Sequence, residues 1–423
     1  MSFIYWQDLT FFSYLGTIII LIARDTEFND LISTLVGGDE TKIKVWLVVS
    51  YVMLSFPVGM YFAKLCWKYK VKEFELYRER KIIPMFSPQD SYMRYPLYAL
   101  SALCLLAVVY TYLTIGFIPI LRSFSVSSEI EVMQMRTALD RGFTGNVYFK
   151  NIFGLLLTPI VTLIAFCYYR MTFSRKDLIW FLVMMFATFL ILTYDMSKSP
   201  FVRFLLAFFF MEILIRKINF KVLLKYAGLI LAGLVAFFIM IGKKGEGGLG
   251  GIFGSITARI AISQISSLYK HMEIFPAEHA FIGFNSISQV LPFMTSSERS
   301  ARIVMEIASP SWIEMDMGGV YNTLFIGEAY ANFGWIGVIL CPIWIGFLIQ
   351  TLFIVFIRLK KTPIFLGLFV FYSFNSNITG GVNEYFYNIQ TTILSLTILT
   401  VLIIAYSLYY SKNRENLSSV AIS

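Results

Sequence analysis

The stretch WIGVILCPIWIGFLIQTLFIVFI, residues 335–357, carries no charged side chain over 23 positions. As an α-helix rising ~1.5 Å per residue, it reaches across the ~30 Å of hydrocarbon in a bilayer. In lipid every backbone N–H and C=O must pair within the chain, so such a run is a helix rather than a loop or an open strand. Comparable runs recur at about 4–23, 44–64, 96–116, 151–169, 178–194, 200–215, 226–242, 363–378 and 388–410. Composition agrees: 57% of residues are hydrophobic, 14% are charged and the mean hydropathy is +0.70, outside the soluble range. The expectation is an all-α polytopic membrane protein of about 10 transmembrane helices, a single integral membrane domain over 1–423. Asp8 interrupts the first run, which lacks a basic start and a small-residue cleavage site, so it is read as an uncleaved helix.

Charge sets the orientation. The short loops RMTFSRK (170–176), IRKINFK (215–221) and IRLKK (357–361) are rich in Lys and Arg, and by the positive-inside rule they lie in the cytoplasm. Both termini are then cytoplasmic. A large outer loop, 243–334, joins spans 7 and 8, and a second, 116–150, joins spans 3 and 4. About ninety residues is too long for a structureless connection. The amphipathic stretches SITARIAISQISSLYKHM (255–272) and SERSARIVMEIA (297–308) predict short helices at the membrane surface.

Several chemistries lack their residues. Cys66, Cys104, Cys167 and Cys341 fall in or beside helices, which implies no disulfide framework and no Cys-rich metal site. His271 and His279, with Glu273 and Glu278 nearby, do not show metal-ligand spacing. A G-x-S-x-G elbow is absent, and the glycines of 245–254 follow their lysines instead of preceding them as in a P-loop. The net charge of +9 is largely topogenic and comes without an aromatic-plus-basic stripe, so nucleic acid is not an expected partner.

The outer cations carry more information. Arg122, Arg136, Arg141, Arg259, Arg299 and Arg302 lie in loops that the rule leaves poor in positive charge. Each one alone is a solvated or headgroup-paired arginine; as a set they suit a phosphorylated ligand, which guanidinium forks grip bidentately. Lys198 and Arg203 bracket Pro200 in KSPFVR, where a helix start would offer free N–H groups, and Arg203 also has the option of snorkelling. On the acidic side, Glu328 sits in the apolar GEAYANFGWIG, where it must pair with a cation or take up a proton. Tyr321, Asn322 and Tyr330 add hydrogen-bonding groups, and the turn TGGVNEYFYN adds Glu384 and Tyr385.

GFIPIL followed by outer arginines, the SKSP turn, the ARI stretch after a long helix and GEAYANFGWIG entering a late span together resemble the Wzy-type O-antigen polymerases, from about residue 90 onward. The resemblance implies a GT-C-like glycosyltransferase of the bacterial inner membrane, needing neither metal nor cofactor. It would move a growing glycan from undecaprenyl pyrophosphate onto an incoming lipid-linked repeat unit at the periplasmic face. Its partners would be the undecaprenyl-pyrophosphate-linked oligosaccharide, membrane lipids and a chain-length regulator. Under this reading Arg136, Arg141, Lys198, Arg203, Arg259, Arg299 and Arg302 bind pyrophosphate, and Tyr321, Asn322 and Tyr330 bind the acceptor glycan. Glu328, His271 and Glu384 compete for the acceptor proton. KKGEGGLGG would be a hinge that carries Arg259 over the lipid, with Lys243 and Lys244 as headgroup anchors. Two alternatives stay open. An O-antigen ligase would make His271 or His279 central. A flippase would need ionisable groups at mid-membrane depth, where this chain has little beyond Glu212 near a cytoplasmic end.

Overall fold

The computed structural model describes residues 1–22, 30–86, 90–123, 129–196, 199–216, 224–225, 228, 262–290, 298–314, 319–375, 378, 380–386 and 389–420. Among them the secondary structure is helical throughout. Six helices among the described residues are long and apolar enough to cross a membrane: Ser2–Ile22, Gly38–Cys66, Ser91–Ile115, Val147–Thr172, Phe325–Arg358 and Val382–Lys412. The chain is a polytopic, helical membrane protein. Three more of the expected spans are apolar helices of another kind. Arg175–Leu192 has 18 residues but begins Arg-Lys-Asp, while Ser199–Ile215 has 17 residues and Pro363–Phe374 has 12. The last two fall short of the ~20 residues a perpendicular crossing needs. Nearly all of 226–242 lies outside the described residues.

The chain divides into two compact units. The first comprises Met1–Val71, Gly242–Val355 and Asn375–Asn388. In it, Gly38–Cys66 and the later part of Phe325–Arg358 run backbone to backbone. A Cβ on Gly59 would stand 1.9 Å from the Ile343 carbonyl oxygen, and one on Gly346 would stand 2.1 Å from that of Phe56. Without a hydrophobic drive between helices in lipid, such small-residue contacts are what allow close dispersion packing. Ser2 adds a hydrogen bond from its Oγ to Gln350 Oε1 at 2.7 Å, which satisfies a buried amide. Off the spans, helix Ser266–Ala277 is clamped to residues 34–41. Lys270 Nζ donates to the Thr34 carbonyl at 2.6 Å and pairs with Glu273 at 3.2 Å, and Glu273 Oε1 accepts from Gly37 N and Thr41 Oγ1 at 2.8 and 3.1 Å.

The second unit comprises Lys72–Ile241, Phe356–Phe374 and Ile389–Ser423. Val147–Thr172 is its core helix: every side chain from Leu156 to Ala165 is buried. Polar groups on it find partners across helices, as they must in lipid. Thr162 Oγ1 lies 2.7 Å from Thr188 Oγ1, and Tyr168 donates to the fully buried Asp90 at 2.6 Å. Arg94 pairs with Asp177. Glu212, the ionisable group expected near a cytoplasmic end, pairs with Arg170 at 3.1 Å. Lys361 is almost fully buried, and its ammonium lies among four carbonyls: Tyr77, Arg78 and Arg80 at 3.3, 3.2 and 2.8 Å, and Leu214 at 2.7 Å. These carbonyls belong to the ends of Lys72–Glu79 and Ser199–Ile215. A helix C-terminus leaves such oxygens unpaired and partially negative, so a cation satisfies both helices at once.

Candidate active site: two carboxylates and an arginine in the first unit

The site begins with a backbone break. Within Phe325–Arg358, Gly334 has φ +59° and ψ −142°, which ends one helical limb and starts another at Trp335. A side chain at Gly334 would be strained by that φ and would sit 3.1 Å from the Phe281 ring. The break turns the first limb, Phe325–Phe333, back on the second: a Cβ on Gly337 would come within 2.1 Å of the Ala329 oxygen, eight residues earlier. Glu328 therefore lies on a short limb outside the straight run 335–357 from which the fold was first read.

That limb faces the turn that follows Pro363–Phe374. Phe325 N donates to the Ile378 carbonyl at 2.8 Å, and Val382–Tyr385 forms a 3-10 turn. Glu328 is buried, and the turn wraps its carboxylate. Asn383 Nδ2 donates to Oε1 at 3.1 Å and Asn383 N points at Oε2 at 3.4 Å. Asn332 Nδ2 in turn donates to Asn383 Oδ1 at 3.3 Å, which fixes the amide of Asn383 with its NH2 toward Glu328. A Cβ at Gly381 would be 2.1 Å from Glu328 Oε2, so the carboxylate occupies space that any side chain there would make it vacate. Glu384, on the same turn, is half-buried and interacts electrostatically with Glu328 and with Arg299, which also acts on Glu328.

Arg299 is exposed and stands at the residue before helix Ser300–Ala308, without a side-chain capping bond. That start is held by His271. The ring is fully buried, with Nδ1 2.7 Å from the Ser267 carbonyl and Nε2 3.3 Å from Ser300 Oγ. A carbonyl can only accept, so Nδ1 carries the proton and Nε2 accepts from Ser300. Burial pushes His271 down from 6.5 to about 4, against the opposing pull of its bond to Ser267. It is a neutral strut beneath Arg299.

The other expected site residues are dispersed. Arg302 uses its guanidinium on Glu306 at 2.6 Å and on the Gly319 carbonyl at 3.3 Å. Tyr321 shares a 2.8 Å hydrogen bond with Ser309, and the Asn322 carbonyl accepts from Ser267 Oγ at 2.7 Å. Tyr330 is buried against Phe281 and Trp335, and His279 is half-buried with Nδ1 on the Ala280 carbonyl. Arg136 and Arg141, on helix Glu129–Arg141, and Arg203, on Ser199–Ile215, belong to the second unit. Arg259 and Lys198 lie outside the described residues. Of the expected set, the fold brings Glu328, Glu384 and Arg299 together, with His271 one residue removed through Ser300. Asn383, Asn332 and Gly381 were not anticipated. Their only sequence signal was their place beside the two glutamates, in the two segments already singled out.

The chain matches no protein-family model, no curated protein and no solved structure.

Proposed function

We propose that this protein is a glycosyltransferase of the Wzy O-antigen polymerase type, GT-C-like in architecture, working at the periplasmic face. Its reaction is transfer of a growing glycan from undecaprenyl pyrophosphate to the terminal sugar of an incoming lipid-linked repeat unit. The observation that supports it is the Glu328–Glu384–Arg299 constellation next to the start of an apolar span. An acceptor hydroxyl oxygen attacks the anomeric carbon, the bond from that carbon to the diphosphate oxygen breaks, and the hydroxyl proton passes to a carboxylate. Diphosphate leaves with the bonding electron pair, and a guanidinium stabilises the charge it gains.

The two carboxylates have different tasks in this reading. Glu328 is buried and holds the 381–384 turn through Asn383, which suits positioning. Glu384 is more accessible and feels the charge of Arg299, which favours its ionised, proton-accepting form, so it takes the proton. The test is complementation of a gene deletion, read as a lipopolysaccharide ladder. Glu384→Gln, at normal abundance, is expected to leave single capped repeats without a ladder, as removal of a general base costs roughly 10²–10⁴ in rate. Glu328→Gln is expected to lower protein level together with activity. A wild-type ladder from Glu384→Gln removes the proposed base; loss of every capped core in the deletion strain replaces polymerisation with ligation or translocation.

A further inference from the structure

Gly38–Cys66 and the second limb of Phe325–Arg358 are closed on each other at Gly59 and Gly346 but not at the level where both begin. Between residues 40–51 and 335–339 they leave an open groove of about 730 Å³. That lies within the ~300–1,000 Å³ typical of sites for small organic ligands. Leu47, Val48, Val338 and Ile339 form apolar walls, and Tyr51, whose hydroxyl donates to the Ile339 carbonyl at 3.0 Å, closes the deep end. Two charges stand at the shallow end, Lys44 and Glu40, one helical turn apart on the same helix face. Such neighbours have Cβ atoms ~5–6 Å apart.

Lys44 is held in place there. Its Nζ lies 5.3 Å from the centre of the Tyr330 ring and 5.5 Å from that of Trp335, and 3.5 Å from the Met272 carbonyl. Aromatic faces stabilise an ammonium without taking its hydrogen-bond donors, so N–H groups remain for an oxyanion at the groove mouth. Glu40 stands one turn nearer the helix start and is exposed.

We propose that this groove binds one membrane phospholipid with a phosphoethanolamine headgroup. Its acyl chain lies between the two helices, its phosphate meets Lys44 and its ammonium meets Glu40. The argument is charge complementarity. A cation and an anion one turn apart match a headgroup that carries both signs, whereas a glycerol headgroup offers nothing positive to Glu40. The proposal is independent of the catalytic reading, because neither charged residue belongs to the carboxylate site.

The test is to reconstitute the full chain in equimolar phosphatidylethanolamine and phosphatidylglycerol, re-extract it in mild detergent, and count retained lipids by native mass spectrometry. Wild type is expected to keep phosphatidylethanolamine about two- to fivefold over phosphatidylglycerol, the range one exposed ion pair supplies. Glu40→Gln is expected to bring that ratio near one, Lys44→Gln to lower retention of both lipids, and Ile339→Trp to empty the groove with helicity unchanged by circular dichroism. Equal retention by wild type, a preference that survives Glu40→Gln, or undiminished retention by Ile339→Trp would each overturn the assignment. Glu40→Gln changes an exposed side chain in the first turn and leaves the test intact if the Lys44 variant fails to fold.

Discussion

Glu328 owes its setting to a neighbour's amide and to the absence of a side chain at Gly381. Asn383→Ala removes the side-chain donor from a buried carboxylate, so the folded state is expected to lose about 1–3 kcal/mol, read as a lower melting temperature in detergent. Asn383→Asp should cost more than the alanine, since it sets a second carboxylate against the first. An alanine variant as stable as wild type would mean that water already satisfies Glu328. None of this was legible from composition: a loop asparagine has no periodicity, and the turn's register against the 325–333 limb is a tertiary fact. Arg302 teaches the converse. Its fork was assigned to a ligand, yet Glu306 four residues on was visible in SERSARIVMEIA as an i,i+4 partner.

At the level of helices, the glycine contacts differ in what they tolerate. Gly346 meets the backbone carbonyl of Phe56, which cannot swing aside; Gly154 meets only the tip of Ile191, at 3.2 Å. Gly346→Ala is therefore expected to cost about 1–3 kcal/mol by overpacking, and Gly154→Ala clearly less. Heating both in detergent and counting the monodisperse fraction by size-exclusion chromatography ranks them; equal losses would mean that the two helices can part at Gly346 and Phe56 without cost. Run length located the six membrane-length helices of the described residues, because a long apolar run in lipid has no alternative to helix. The start at residue 335 was legible too, and it coincides with the break at Gly334. The fold-back behind that break was not, since hydropathy is nearly blind to a single φ.

Across the whole protein, acid is expected to act through His271. Its ordinary value is 6.5 and its folded value is about 4, so between them the unfolded chain holds a proton that the folded chain does not. The stability associated with a neutral, buried ring is present in full above pH 6.5 and is lost as pH falls toward 4. Melting temperature should thus decline over that window, and His271→Gln should flatten the decline while starting lower at pH 7. Glu273 adds to it further down. Burial raises its carboxyl, but the Gly37 N–H and Lys270 outweigh that and hold it below the usual range, so the clamp onto residues 34–41 loosens only below the ordinary carboxylate range. A slope unchanged by His271→Gln would assign the acid response elsewhere. Polytopic character was plain from the sequence. The partition into two units was not, because each is assembled from segments far apart in the chain.

Lys361, closed in by the ends of two helices, has an exposed neighbour in Lys360. The two carry the same amine on adjacent residues, but only one can meet a reagent from outside. An acylating label therefore marks Lys360 at once and spares Lys361 for as long as those helix ends stay together. Their ratio in a single proteolytic fragment is an internal clock for the opening of this corner, needing no added probe and no reference protein.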